Sequence, residues 1–364
     1  MSTVDKLLAR TRRVARFLPI FWLTSLVACT SLPPQASPAQ GEPLAETLAE
    51  IEQLHRGTCG REQGLCARSK FVPVLDSYMH YREAGDPRGP VILLLHGQPT
   101  WSYLYRNIIP KLPANARVIA PDAIGYGFSG RPELEYSWQD QVDYLEAFIA
   151  ALDLREVVLV LHDFGSFQGL AYAQRHPDNV RGLVLMESVV APFPSLEVLA
   201  GMVPPGSPLA AFVDFIRIVK TDPVATERLI VDENVFIEGL LPNYTGRALT
   251  AAEMNAYRLP FRTRASRYKM INIPAGMPLG GVPAENHALV ARYAAYLATS
   301  QVPKLVLYST PGLLIGPEAA HALAQALPNT RAESLGPGLH FVQEEHPAEI
   351  AAAISRFTRA LPSK

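Results

Sequence analysis

The chain has little net charge, few cysteines and few tryptophans. Lys and Arg number 33 against 34 Asp and Glu, a formal balance of −1. Nothing in that balance indicates a basic face for nucleic acid, and no nucleic-acid partner is expected. The apolar stretch near the N-terminus, Phe17 to Ala28, is too short to span a bilayer. Of the three cysteines, Cys59 and Cys66 enclose Gly60 to Leu65. That gap is wider than the roughly two to four residues of zinc sites, and there is no second pair. No metal is therefore expected. No tryptophan falls between residues 191 and 296. At 48% hydrophobic and 18% charged, the composition is that of an ordinary globular protein, and 364 residues could hold two domains.

What the chain does have is a series of short apolar runs. Val91 to Leu95 ends at His96-Gly97-Gln98-Pro99-Thr100. Val118 to Ala120 runs into Pro121-Asp122. Val157 to Leu161 ends at His162-Asp163-Phe164-Gly165-Ser166, and Gly182 to Met186 closes at Glu187. Lys304 to Ser309 is another, and Ala332 to Leu335 leads into Gly336-Pro337-Gly338-Leu339-His340. Such runs, alternating with helical stretches, predict a parallel sheet covered on both faces. Phe71 to Leu75 and Tyr78 to Ala84 read as a leading antiparallel hairpin. Ligands in such sheets bind beyond the carboxyl ends of the strands, and His96, Asp163, Glu187 and His340 fall just past strand ends. From 191 to 296 the strand pattern gives way to Pro-Pro-Gly at 204–206 and helical stretches, read as an inserted cap over an apolar pocket. Phe212, Phe215, Phe236 and Phe261 are the candidate lining residues. The core then comprises 71–190 and 297–364.

The segment around Asp163 has the outline of a nucleophile elbow, a sharp strand-to-helix turn that exposes one side chain above a sheet. A serine there attacks acyl carbons. A carboxylate displaces a leaving group at saturated carbon and itself becomes an ester. His340, in a glycine-flanked loop, titrates near neutrality and can take a proton from water. The loop after the penultimate strand, Thr310 to Gly316, contains no acid, so Glu187 is the available third member.

Two local matches are set aside. Asp163-Phe164-Gly165 spells a kinase triplet without a His-Arg-Asp loop. Gly125-x-Gly127-x-x-Gly130 follows Pro121-Asp122 instead of opening a helix from the first βαβ unit. No cofactor is expected.

These motifs, in this order from about Phe71 onward, resemble the α/β-hydrolases, and among them the haloalkane dehalogenases and the related epoxide hydrolases. The resemblance implies the α/β-hydrolase fold, a mostly parallel sheet flanked by helices with an inserted helical cap. It also implies Asp163 as nucleophile, His340 as base, Glu187 as its partner, and a small apolar organic substrate with water. The backbone N–H groups of Phe164 and Gln98 would stabilise the oxyanion.

The chain departs from the family on the leaving-group side. Dehalogenases of this subgroup hold the halide with an Asn amide and a Trp indole, and here Gln98 and Phe164 occupy those places. Phenylalanine has no hydrogen to donate, no cap tryptophan substitutes, and Trp101 and Trp138 are placed elsewhere. An epoxide hydrolase stays open as the alternative, with Tyr244, Tyr257 and Tyr268 as cap donors, as does a protein that uses the pocket for binding only.

The N-terminus is a separate object. Lys6, Arg10, Arg12, Arg13 and Arg16 precede the apolar stretch, which ends Leu26-Val27-Ala28-Cys29. Residues 1–28 read as a signal peptide. The junction looks like a bacterial lipoprotein processing site, which implies lipidation of Cys29 and attachment to a membrane; a plain cleaved signal peptide is the alternative. Residues 29–70 read as a tether and N-terminal extension, of which Thr30 to about Pro43 is rich in Pro, Ser, Gln and Ala, with helical spacing over Leu44 to Leu54. After export, Cys59 and Cys66 form a disulfide or remain free thiols.

Overall fold

A computed structural model of the protein describes residues 69–362. The signal peptide, the tether, Cys29, Cys59 and Cys66 lie outside the described residues. Within them, eight strands form one sheet: β1 (Ser69–Val74), β2 (Ser77–Gly85), β3 (Val91–Leu95), β4 (Arg117–Pro121), β5 (Val157–Asp163), β6 (Val180–Ser188), β7 (Lys304–Pro311) and β8 (Thr330–Gly338). The order is β1-β2-β4-β3-β5-β6-β7-β8. β1 and β2 pair antiparallel, β2 joins β4 antiparallel, and all other neighbours are parallel. This is the α/β-hydrolase fold. The central strands β3 and β5 are continuous apolar runs because both of their faces are covered. β8 extends past the expected Leu335 to Gly338. It is an edge strand, where Pro337 can pair with Thr310 on one side without disturbing a second neighbour.

The helices of eight residues or more are α1 (Trp138–Ala151), α2 (Phe164–Arg175), α3 (Pro208–Thr221), α4 (Ala251–Arg258), α5 (Ala284–Thr299), α6 (Pro317–Ala326) and α7 (Pro347–Ala360). α3, α4 and several shorter turns make the cap. α5, which the sequence placed within a cap running to 296, packs instead against α2 of the sheet layer, and Tyr293 of α5 donates to the Val189 carbonyl just after β6. An amphipathic helix goes where its apolar stripe finds a partner, and the sequence does not name that partner. Among the described residues no helix is long and apolar enough to cross a membrane.

A buried ionic cluster fastens the cap to the core. Glu344, four residues after His340, accepts from Arg106 of the core and from Arg247 and Tyr257 of the cap. Arg106 also donates to Glu253 of α4 at 2.7 Å. The backbone N–H groups of His340 and Phe341 donate to the Tyr244 carbonyl at 3.0 and 3.2 Å. The loop carrying His340 is therefore held by the cap as well as by the sheet.

Candidate active site

Asp163 ends β5 and precedes α2 with φ +48° and ψ −124°. A non-glycine residue in that region stores strain of about 1–3 kcal/mol, which persists only where the surroundings enforce it. Two glycines allow the surroundings to close in. A Cβ on Gly97 would lie 2.3 Å from the Asp163 Cβ, and one on Gly165 would lie 2.5 Å from the His96 carbonyl oxygen. The His-Gly-Gln-Pro and His-Asp-Phe-Gly motifs are thus two halves of one tight junction.

Glu187 is also left-handed, at φ +47°. Between β5 and β6 the register passes from His162 opposite Met186 to Asp163 opposite Ser188, so Glu187 is the bulged residue. Bulges re-aim side chains. Asp163 and Glu187 accordingly lie within the last residues of their strands, not just past them as the apolar runs suggested. His340 does follow its strand.

These elements bring the three groups together. His340 Nδ1 is 3.0 Å from Glu187 Oε2, and its Nε2 is 3.4 Å from Asp163 Oδ2. The Gln98 backbone N–H donates to Asp163 Oδ1 at 2.8 Å, and the nearby backbone N–H of Phe164 favours the carboxylate's charge. Glu187 is 1% exposed. Besides the imidazole, it accepts from the backbone N–H groups of Leu313 (3.0 Å), Leu314 (2.8 Å) and Ile315 (3.2 Å). The acid-free loop after β7 thus serves the carboxylate through its main chain.

The electrostatics follow from burial and pairing. Burial opposes the His340 cation, but the Asp163 and Glu187 carboxylates outweigh it and raise the pKa from 6.5 to about 9. Burial also opposes the Asp163 anion, and His340 outweighs it, so this carboxyl lies below the usual range. His96 and His162 are buried with less support and shift downward, His162 to about 3. His162 Nε2 donates to the His340 carbonyl at 2.9 Å. It is a supporting residue whose role no motif in the sequence announces. Among the described residues, no group of His, Cys, Asp and Glu could hold a metal ion.

Above Asp163 lies an apolar cavity lined by Phe164, Trp138, Phe167, Phe193, Phe212, Phe236, Leu240, Tyr244, Ile273, Leu313 and Phe341, among others. With its open mouth counted, the empty space in it is about 730 Å³. Phe236 and Leu240 sit on a π-turn, Phe236–Leu240, a device frequent at functional walls. Of the four candidate phenylalanines, Phe212 and Phe236 line the cavity. Phe215 packs behind Phe236 with ring centroids 5.4 Å apart, and Phe261 packs on Tyr126. Trp138, set aside because it lies outside the cap, is on the wall. It stacks on Phe167 at 4.0 Å, and its indole N–H donates to the Ile273 carbonyl at 3.1 Å.

Comparison with known proteins agrees with this geometry. The sequence model of the α/β-hydrolase fold family matches residues 90–347. A haloalkane dehalogenase of Mesorhizobium japonicum is 42% identical over 78% of this chain and 89% of its own length. One from Sphingobium indicum is 38% identical over 80% and 95%. The chain belongs to the haloalkane dehalogenase family. Among solved structures, the haloalkane dehalogenase DbeA from Bradyrhizobium elkani aligns with a TM-score of 0.75 at 37% identity, over 80% of this chain and 97% of that one.

For a haloalkane dehalogenase relative, the leaving-group side is unusual. The Gln98 amide donates to the Met270 carbonyl of the cap at 2.8 Å, and its oxygen accepts from the Tyr126 hydroxyl at 2.9 Å. Its extra methylene carries the amide to a main-chain partner. Phe164 offers the cavity only its ring, against Tyr126 and Phe167. The three tyrosines considered as epoxide donors are committed or distant. Tyr244 lines the cavity, but its hydroxyl donates to the Pro208 carbonyl at 2.9 Å. The Tyr257 hydroxyl is bound to Glu344 and that of Tyr268 to Glu227, and neither residue lines the cavity.

Proposed function

We propose that the protein is a hydrolase that cleaves carbon–halogen bonds through an alkyl ester on Asp163. The Asp163 carboxylate carries the reading, with one oxygen held by the Gln98 backbone N–H and the other beside His340 under an apolar cavity. Oδ2 attacks the carbon, and the halide leaves with the bonding pair. Oδ1 becomes the ester carbonyl, already seated on Gln98 N–H. His340 then takes a proton from water, whose oxygen adds to the ester carbon. The negative charge on Oδ1 is stabilised by the same donor, worth about 2.7–4 kcal/mol. The tetrahedral intermediate collapses by breaking the Cγ–Oδ2 bond. The departing alkoxide takes the proton from His340 and leaves as the alcohol, and Asp163 regains a carboxylate carrying the water oxygen. Glu187 orients the imidazole and stabilises its cation. The balance is haloalkane plus water to alcohol, proton and halide.

Esterification also switches the base on. The resting imidazole is a cation held between two carboxylates. Once Asp163 is a neutral ester, half of that support is gone, the pKa falls, and the proton leaves with the product ions. The epoxide alternative needs a phenol aimed at the ring oxygen, and the one tyrosine on the wall has its hydroxyl on Pro208. Intact-mass spectrometry of His340→Ala with 1-bromobutane tests the mechanism: an alkyl adduct that persists is expected, with no adduct on Asp163→Ala. An unmodified His340→Ala protein beside a wild type that turns over the same substrate would refute it.

From the N-terminal sequence alone, we further propose that the protein is exported and tethered to a bacterial membrane through a lipid on Cys29. Wild type should partition with membranes, and Cys29→Ser should not. A wild type that is soluble after cleavage elsewhere rules the anchor out.

A further inference from the structure

A second cavity lies beside the cap segment that holds Gln98. Its walls are the core loop 131–136 and cap residues from Leu259 to Asn272, and it shares no residue with the reaction cavity. With its mouth open it measures about 1540 Å³. Two guanidinium cations, Arg131 and Arg262, and the Lys269 amine converge there, against one carboxylate, Glu133. Among the described residues none of the three makes an ion pair. Arg131 donates to the Gly127 and Pro260 carbonyls, at 3.1 and 3.0 Å, and Arg262 is exposed.

Lys269 is the informative member. It is 8% exposed. Its Nζ has one hydrogen-bond partner, the Tyr136 hydroxyl at 3.2 Å, and lies 4.4 Å from the centre of that ring. Gly125 makes room for the pair: a Cβ there would fall 2.9 Å from Lys269 Cδ and 2.5 Å from the Tyr136 ring. Burial, then the Arg131 charge, pull the amine down to about 6. A buried amine without a carboxylate is unfavourable, and methionine would fill the space without that cost. A bound anion would favour the protonated amine and offset that burial cost, so that Lys269 becomes charged on binding. Leu134, Leu259 and Ile271 add apolar wall, which a bare halide or phosphate would leave uncovered.

We propose that this cleft binds a small organic monocarboxylate, with its charged end on Lys269, Arg131 and Arg262 at the mouth, and its apolar body on Leu134, Leu259 and Ile271. The proposal does not depend on the dehalogenase reading, because none of its residues takes part in that chemistry.

Calorimetric titration of the whole protein with benzoate at neutral pH tests it, with chloride and inorganic phosphate as parallel arms. One saturable benzoate site is expected, with Kd about 1 mM or tighter. Lys269→Met should weaken it about tenfold or more, the loss of one charge-assisted bond, and Arg262→Gln about threefold. Chloride and phosphate should bind more weakly than benzoate. The exposed Arg262→Gln keeps the test decisive if Lys269→Met does not melt as a folded protein. The proposal falls if wild type shows no saturation, if phosphate binds more tightly than benzoate, or if folded variants bind benzoate as wild type does, which would put it in the reaction cavity.

Discussion

Around Asp163, His340 and Glu187, charge and hydrogen bonding are closely matched. Three main-chain donors and an imidazole meet one carboxylate, and the Gln98 N–H and the same imidazole meet the other. On the leaving-group side of the same cavity, the donors point elsewhere. Gln98 is tied to Met270, Trp138 to Ile273, and Phe164 has nothing to donate. The contrast separates the two chemical steps. Ester hydrolysis draws on the first set. Halide departure draws on the second, where hydrogen bonds to a charged group, worth about 1.5–3 kcal/mol each, are not in place.

The largest expected effect breaks the stronger side. Glu187→Gln removes the carboxylate that orients His340, so decay of the alkyl-enzyme should slow about 10³-fold or more. The halide burst should survive within a few fold, as Asp163 does not need Glu187 to attack. Single-turnover kinetics with mass detection separate the two, and equal loss in both would mean that the sides are not separable.

Next, the weaker side can be repaired. Gln98→Asn with Phe164→Trp would place an amide and an indole near the leaving atom. Halide charge grows during displacement, so these donors act on that step. Pre-steady-state halide release should rise about 10²-fold or more, most for chloride, the poorest leaving group. No gain in a folded double variant would remove these positions from the leaving-group site.

A smaller effect is one of pH. Folding raises the His340 pKa from 6.5 to about 9. The stability it contributes is complete below about pH 6.5 and is lost as pH rises through about 9. In the alkyl-enzyme Asp163 carries no charge, so ester hydrolysis should titrate distinctly lower than the free enzyme. Thermal melts and alkyl-enzyme decay across pH 6–10 would locate both transitions, and coincident midpoints would contradict the proposed switch.

The smallest concerns Trp138. Trp138→Phe keeps an aromatic face on Phe167 but orphans the Ile273 carbonyl, at a cost of about 1 kcal/mol by denaturant melting. Halide release should be unchanged. A marked fall would mean that the indole turns toward the leaving group during reaction.

Much of the fold and of the site is legible in the sequence. The apolar runs placed the sheet because a parallel strand buried on both faces has to be apolar throughout. Gly165 fits the turn outline of the elbow in the sequence, whereas the close approach of Gly97 to Asp163 belongs to the folded structure. In the cap the same reasoning reached less far. Phe212 and Phe215 are neighbours on α3, yet only Phe212 faces the cavity, because on a helix the side chain's direction depends on what the helix packs against. The helical pattern of α5 likewise did not say whether it lay on the cap or on α2.

The sequence by itself determined the strand framework, the residue type at each reacting position and the loss of the usual halide donors. It could do so because side-chain chemistry and local turn requirements are carried by the residues themselves. Tertiary structure alone decided that the loop 313–315 supports Glu187 through backbone N–H groups, which no residue type reveals. It also decided that Gln98 reaches Met270 across 172 positions of chain, and that Trp138 stands in the wall with its N–H turned away. Each of these depends on which main-chain group lies opposite a given side chain, and that is settled only when distant segments pack.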